Sequence, residues 1–83
     1  MTEPEIYDAL NQVFRKVLED ETIVLTKDTT AEDVEGWDSM NHIFIVAELE
    51  KRFGLKFRAA EMEELKNAGE LVSLLRQKLD KKG

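Results

Sequence analysis

The sequence predicts an all-α fold, a small four-helix bundle with three longer helices and one short one. Along three segments, apolar residues recur at the spacing of a helix face, and residues that start or stop helices stand at the segment ends. The chain has 83 residues and shows no linker, repeat or low-complexity tract. We therefore expect a single domain over residues 1–83, which is too small for a large self-contained enzyme.

The first helix is predicted over about residues 3 to 19. Thr2 and Glu5 form a capping-box pattern, and Pro4 between them suits the first helical turn. One apolar stripe follows, formed by Ile6, Leu10, Val13, Phe14, Val17 and Leu18. The period is then lost over residues 20–37, which predict a long loop held by buried apolar anchors. The expected anchors are Ile23, Leu25 and Val34.

The second helix is expected to begin at a cap formed by Asp38 or Ser39 and to end at Phe53, where Gly54 supplies a left-handed stop. Its core stripe consists of His42, Ile45, Val46, Leu49 and Phe53. A second apolar stripe beside the serine consists of Met40, Ile43, Phe44 and Ala47. One core cannot easily bury both, so we interpret the second stripe as a face offered to a partner. The alternative is that the short third helix or a loop covers it.

The remaining helices are predicted from shorter signals. The short one is expected over about residues 60–65. Asn67 and Glu70 mark the start of the last helix. Its apolar residues are Leu71, Leu74, Leu75 and Leu79.

Composition restricts the classes of function. The formal charge is -6, with net -8 over residues 1–38 and +2 over residues 39–83. An acidic balance disfavours binding to the phosphates of nucleic acid, so we expect partners that carry positive charge. Cysteine is absent, which excludes disulfides, thiolate metal ligands and a catalytic thiol. No export signal or membrane-spanning run is recognisable, so we expect a cytoplasmic monomer that does not bind membranes.

Ser39 has three interpretations. It is a common type of helix N-cap. As a nucleophile it would need a base, but the chain's one histidine, His42, is predicted to point into the bundle and no Gly-x-Ser-x-Gly pattern surrounds the serine. As a modified residue it is well placed, because a helix N-terminus favours the negative charge of a phosphate.

The run at residues 36–40, Gly-Trp-Asp-Ser-Met, resembles the Gly-x-Asp-Ser-Leu signature of acyl and peptidyl carrier proteins. Residues 47–55 resemble that family's Ala-Leu-Glu-Glu-Glu-Phe-Gly-Ile ending of the second helix, at the matching distance from the serine. Residues 29–34 resemble the loop that precedes the signature, so the resemblance covers the whole chain.

The resemblance implies a bundle of acyl-carrier-protein type with no catalysis of its own. It implies a 4'-phosphopantetheine arm on Ser39, attached by a phosphopantetheinyl transferase, that holds an acyl or aminoacyl group as a thioester. The implied partners are a loading ligase and downstream synthase or transferase enzymes of a fatty-acid-like, polyketide or other specialised pathway. The docking face would be Met40, Ile43, Phe44 and Ala47, with Asp33, Glu35 and Asp38 as an electrostatic guide. The alternative is a helical protein-interaction module without a prosthetic group, in which Ser39 is only a cap.

Some positions depart from the family pattern. Met40 replaces a leucine of similar volume. Asn41 and Phe44 stand where carriers of fatty-acid synthesis have acids, and the acidic ending of the helix has become Glu-Lys-Arg at residues 50–52. Because steering by basic patches would be weaker, these changes favour a dedicated, stand-alone carrier.

Two other sites are disfavoured. The acids at residues 28–33 lack the spacing of an EF-hand calcium loop. His42 has no companion ligands in the sequence and is expected to be a satisfied histidine near the loop. Trp37 is expected to be a partly buried loop anchor.

Overall fold

The computed structural model describes residues 2–58, 60–61 and 65–82. Within these residues the chain forms three α-helices and no strand: α1 (Glu3–Leu18), α2 (Ser39–Phe53) and α3 (Ala68–Lys82). The all-α prediction is confirmed. Of the predicted short helix at 60–65, residues 62–64 lie outside the described residues, Ala60 and Glu61 are helical, and Leu65 is not. In this described part, none of the helices is both long and apolar enough to cross a lipid bilayer.

Helix α1 begins with the capping box that the sequence predicts. The amide of Glu5 donates to Thr2 Oγ1 at 3.4 Å, and the amide of Thr2 donates to Glu5 Oε1 at 2.9 Å. Pro4 lies in the first turn, where a missing N–H costs no intrahelical bond. The helix ends at Leu18, and the C-cap residue Glu19 has a φ of 54°, in the left-handed region. Both ends of α1 are therefore determined by nearby residues, the start by Thr2 and Glu5 and the end by Glu19.

Helices α1 and α2 pack antiparallel around an apolar core. Lys16 Nζ lies 3.3 Å from Glu48 Oε2, and one turn away Arg52 donates to Gln12. All three helices, the long loop and the residue that follows Gly54 contribute to the core: Ile6, Leu10, Val13, Phe14, Ile23, Leu25, Val34, Trp37, Ile45, Leu49, Leu55, Ala68, Leu71, Val72 and Leu75. Burying a large apolar side chain stabilises the fold by about 1.5–3 kcal/mol. The three predicted loop anchors are among these buried residues.

Side chains of α1 fasten the loop that leads towards α2. Arg15 Nε donates to the carbonyl of Ile23 at 2.8 Å, and Asn11 Oδ1 accepts from the amide of Leu25 at 2.8 Å. Ile23 and Leu25 are buried, whereas Val24 between them is 68% exposed. Two polar residues one turn apart on α1 thus hold the extended segment against the core.

The same loop meets the start of α3. The carbonyl of Thr29 accepts from the amide of Ala68 at 2.8 Å. Asn67 Oδ1 accepts from the amide of Glu70 at 2.8 Å, as the sequence predicts for a helix start. These bonds satisfy amides of the first turn, which have no intrahelical acceptor.

Candidate functional site

The turn before α2 depends on a glycine. Gly36 has a φ of 90°, which L side chains rarely adopt. A Cβ there would lie 3.5 Å from Leu18, an ordinary contact, so the backbone angle and not the space calls for glycine. The amide of Trp37 donates to the carbonyl of Val34 at 3.1 Å, and that of Asp38 donates to the carbonyl of Gly36 at 3.0 Å. The loop therefore enters α2 in one defined conformation.

Asp38 is the N-cap of α2. Its Oδ1 accepts from the amide of Asn41 at 2.8 Å, and its carbonyl accepts from the amide of His42 at 2.8 Å. Its backbone is extended, with φ -114° and ψ -176°, as an N-cap requires. The structure thus decides between the two caps that the sequence allowed and makes Ser39 the first helical residue.

Ser39 presents an exposed hydroxyl at the N-terminus of α2. Within the described residues, that hydroxyl makes no hydrogen bond, and the amides of Ser39 and Met40 donate to no acceptor. Free amides at the positive end of a helix favour an anion. A phosphate ester on this hydroxyl therefore fits the site.

Trp37 lies on the core side of the same turn. It is 7% exposed, more deeply buried than predicted, because it packs edge-on against Phe14 with ring centroids 4.8 Å apart. Its Nε1 donates to His42 Nδ1 at 3.0 Å. His42 is a half-buried histidine near the loop, and its Nδ1 accepts from the indole.

The second apolar stripe of α2 lies in solvent. Met40, Ile43 and Phe44 are 69%, 59% and 54% exposed, and Ala47 is exposed too. We call these four residues the exposed α2 face. Among the described residues only Val24 is another exposed large hydrophobic residue. The two apolar stripes predicted for this helix therefore exist, one in the core and one in solvent, while the docking role of the outer one stays a prediction.

The carboxylates beside this face are engaged within the molecule. Glu48 pairs with Lys16, and Glu50 Oε2 accepts from the amide of Phe57 at 2.8 Å. Lys51 beyond them is exposed. The middle of the face is thus apolar, and its nearest acids already have partners.

Sequence reasoning missed the roles of two side chains near Ser39. It treated Asn41 only as a lost acid, yet its Nδ2 donates to the carbonyl of Gly36 at 2.7 Å. It did not pair His42 with Trp37, because that pairing depends on how the turn folds. No group of three or more His, Asp or Glu residues in the described part of the chain is arranged to hold a metal ion.

Comparisons with known proteins agree with this geometry. Residues 8–75 match the protein family described as "Phosphopantetheine attachment site". The acyl carrier protein of Thermotoga maritima is 27% identical over 75 residues, which cover 90% of this chain and 93% of that protein. The solution NMR structure of holo acyl carrier protein from Geobacter metallireducens has a TM-score of 0.86 at 42% identity, covering 92% of this chain and 87% of that chain.

The family match spans most of the chain, and the fold matches that of a holo carrier. The covalent cofactor of this family is phosphopantetheine, and its members carry a group instead of catalysing a reaction. The chain therefore belongs to the phosphopantetheine attachment site family of acyl carrier proteins.

Proposed function

We propose that Ser39 carries the phosphopantetheine arm and that residues 1–83 form a single carrier domain. The observation that carries this proposal is the exposed hydroxyl of Ser39 at the first residue of α2, beside amides without acceptors in the described residues. The sequence has one other serine, Ser73, which lies inside α3 and away from a helix N-terminus. A phosphate ester on Ser39 is therefore better stabilised than one on Ser73.

The attachment step uses the Ser39 hydroxyl as an acceptor. Ser39 Oγ forms a phosphodiester bond with the pantetheine phosphate of coenzyme A while the diphosphate P–O bond breaks. Adenosine bisphosphate leaves, and the hydroxyl proton passes to a base on the phosphopantetheinyl transferase. The bound arm supplies the thiol that forms a thioester with an acyl or aminoacyl group, since the chain has no cysteine.

The exposed α2 face is proposed to dock partner enzymes. Phe44 offers an aromatic anchor that is 54% exposed, and such anchors often carry much of an interface's binding energy. Asp33, Glu35 and Asp38 are exposed, precede Ser39 in the sequence and would steer the carrier towards basic groups.

The apolar character of this face supports a dedicated carrier of a fatty-acid-like, polyketide or other specialised pathway. Its partners would be a loading ligase and downstream synthase or transferase enzymes with an apolar docking pocket, because Glu48 and Glu50 are engaged internally. The proposed setting is the cytoplasm, with the protein as a monomer that binds neither nucleic acid nor membranes.

Intact mass after incubation with coenzyme A and a broad-specificity phosphopantetheinyl transferase tests the attachment residue. The parent and Ser73→Ala should each gain one arm, and Ser39→Ala should gain none while keeping its helicity, because Asp38 caps α2. Modification of Ser39→Ala would place the arm elsewhere. An unchanged parent would favour an interaction module without a prosthetic group.

A further inference from the structure

Two side-chain hydrogen bonds, which we call bridges, join residues before Ser39 to residues after it at the start of α2. Trp37 Nε1 donates to His42 Nδ1 at 3.0 Å, and Asn41 Nδ2 donates to the carbonyl of Gly36 at 2.7 Å. Each bridge joins a residue before Ser39 to a residue in the first turn after it. The junction between loop and helix is thus closed twice by side chains.

The first bridge is anchored in the core. Trp37 is buried against Phe14, which is itself 0% exposed, in an edge-on contact at 87°. The imidazole of His42 stacks beside the indole, with ring centroids 6.1 Å apart and planes 25° apart. Through this pair, the first turn of α2 is held to α1.

The second bridge fixes the turn itself. The carbonyl of Gly36 accepts from the side chain of Asn41 and from the amide of Asp38. The amide of Asn41 in turn donates to Asp38 Oδ1. Asn41 therefore uses both its backbone and its side chain to hold the residues that precede Ser39.

We propose that His42 and Asn41 are positioning residues for attachment at Ser39, an inference that rests on the proposed function. The Ser39 hydroxyl is exposed and makes no hydrogen bond within the described residues, so the backbone around it sets where its Cβ lies. The two bridges help to hold that backbone. A serine whose Cβ is held in place needs less ordering when the hydroxyl enters the transferase's active site.

The test compares variants by the kcat and KM for the carrier with coenzyme A and a broad-specificity transferase. His42→Leu removes the atom that accepts a hydrogen bond from the Trp37 indole. His42→Asn keeps an acceptor, because the Oδ1 of asparagine, like the Nδ1 of histidine, is bonded directly to Cγ. Asn41→Ala removes the second bridge. We expect kcat to fall about tenfold in His42→Leu and Asn41→Ala, with KM within about twofold because the exposed α2 face is untouched. His42→Asn should recover most of the loss.

A structural role alone would give a different pattern. Thr2→Ala weakens the start of α1 without touching the junction, so it should lower the melting temperature and leave kcat unchanged. The Trp37 indole N–H should exchange with solvent faster in His42→Leu and be protected again in His42→Asn.

Three results would overturn the proposal: parental kcat in both His42→Leu and Asn41→Ala, an equal loss of kcat in Thr2→Ala, or no recovery in His42→Asn. If His42→Leu does not fold, Asn41→Ala decides, because its bridge lies at the surface. A parent chain that accepts no arm would refute the attachment at Ser39, and with it this inference, whereas a modified parent with unaffected variants refutes only the positioning role.

Discussion

The amide of Gly69 donates to the carbonyl oxygen of Lys27 at 3.1 Å, and a Cβ atom at position 69 would lie 2.7 Å from that same oxygen. The nearest atom is a backbone oxygen, and the next two are Cβ and Cα of Lys27 at 3.0 and 3.1 Å, so no flexible end of a side chain can give way. The loop that leads to Ser39 and the first turn of α3 are therefore in contact at a point where only glycine fits.

Gly69→Ala should destabilise the protein even though alanine is the better helix former. Replacing glycine by alanine inside an ordinary helix gains about 1 kcal/mol, whereas forcing an atom into this contact should cost about 1–3 kcal/mol. Urea unfolding measures the difference. Ser73→Ala, an exposed position of the same helix, is the control and should change stability by less than about 0.5 kcal/mol. A Gly69→Ala protein that is more stable than the parent by about 1 kcal/mol, the gain at an ordinary helix position, would contradict the close contact.

Acid should weaken the fold through carboxylates that accept hydrogen bonds. The pKa of Glu5 is lowered mainly by a hydrogen bond from the amide of Thr2 and less by one from the Thr2 hydroxyl. The pKa of Glu61 is lowered mainly by a hydrogen bond from the amide of Arg58 and less by one from the Lys78 ammonium. Because each pKa is lower in the folded chain, the stabilisation is complete above about pH 4.5 and is lost as the pH falls through the folded-state pKa.

Urea unfolding between about pH 7 and pH 3 measures this loss. Glu5→Gln and Glu61→Gln should each show a shallower decline than the parent over the acid limb. Declines of equal slope in all three proteins would show that other groups control acid unfolding.

Salt should raise the melting temperature. Residues 1–38 carry net -8, and their mutual repulsion is screened as ionic strength rises. The opposing loss is smaller, because the ion pairs Lys16–Glu48 and Arg76–Glu3 lie at the surface and, among the described residues, only the Lys78–Glu61 pair has both side chains mostly buried. Thermal melts at low and moderate salt measure the balance. A melting temperature that falls on adding salt would show that repulsion does not limit stability.

Phe44→Glu should leave the fold intact and weaken docking. The side chain is 54% exposed and lies away from the buried stripe of α2, and loss of an aromatic anchor often costs about 2 kcal/mol of binding energy or more. Loading rates of the modified protein should fall with the cognate enzyme and rise with enzymes of fatty-acid synthesis. Val24→Glu changes an exposed apolar residue outside this face and is the control. Unchanged cognate loading would place the docking face elsewhere, and a much lower melting temperature would place Phe44 in the core.

The features that the sequence predicts are those that depend on near neighbours along the chain. The Thr2–Glu5 capping box, the stop at Gly54 and the two stripes of α2 follow from spacing alone, and the structure contains each of them. Other contacts join segments that are distant in the sequence, so no local pattern predicts them. They are the contact of Gly69 with Lys27 and the hydrogen bonds of Arg15 and Asn11 with the loop. The same limit applies to Trp37, whose burial depends on Phe14 in α1.

The attachment at Ser39 is tested most directly by counting thiols. The chain has no cysteine, so a thiol that reacts with a maleimide can come only from an attached arm. After treatment with coenzyme A and transferase, followed by removal of small molecules, we predict one reactive thiol per chain in the parent and in Ser73→Ala, and none in Ser39→Ala. Loading an acyl group should then remove that thiol until the thioester is cleaved. A reactive thiol on treated Ser39→Ala, or none on the treated parent, would contradict the account.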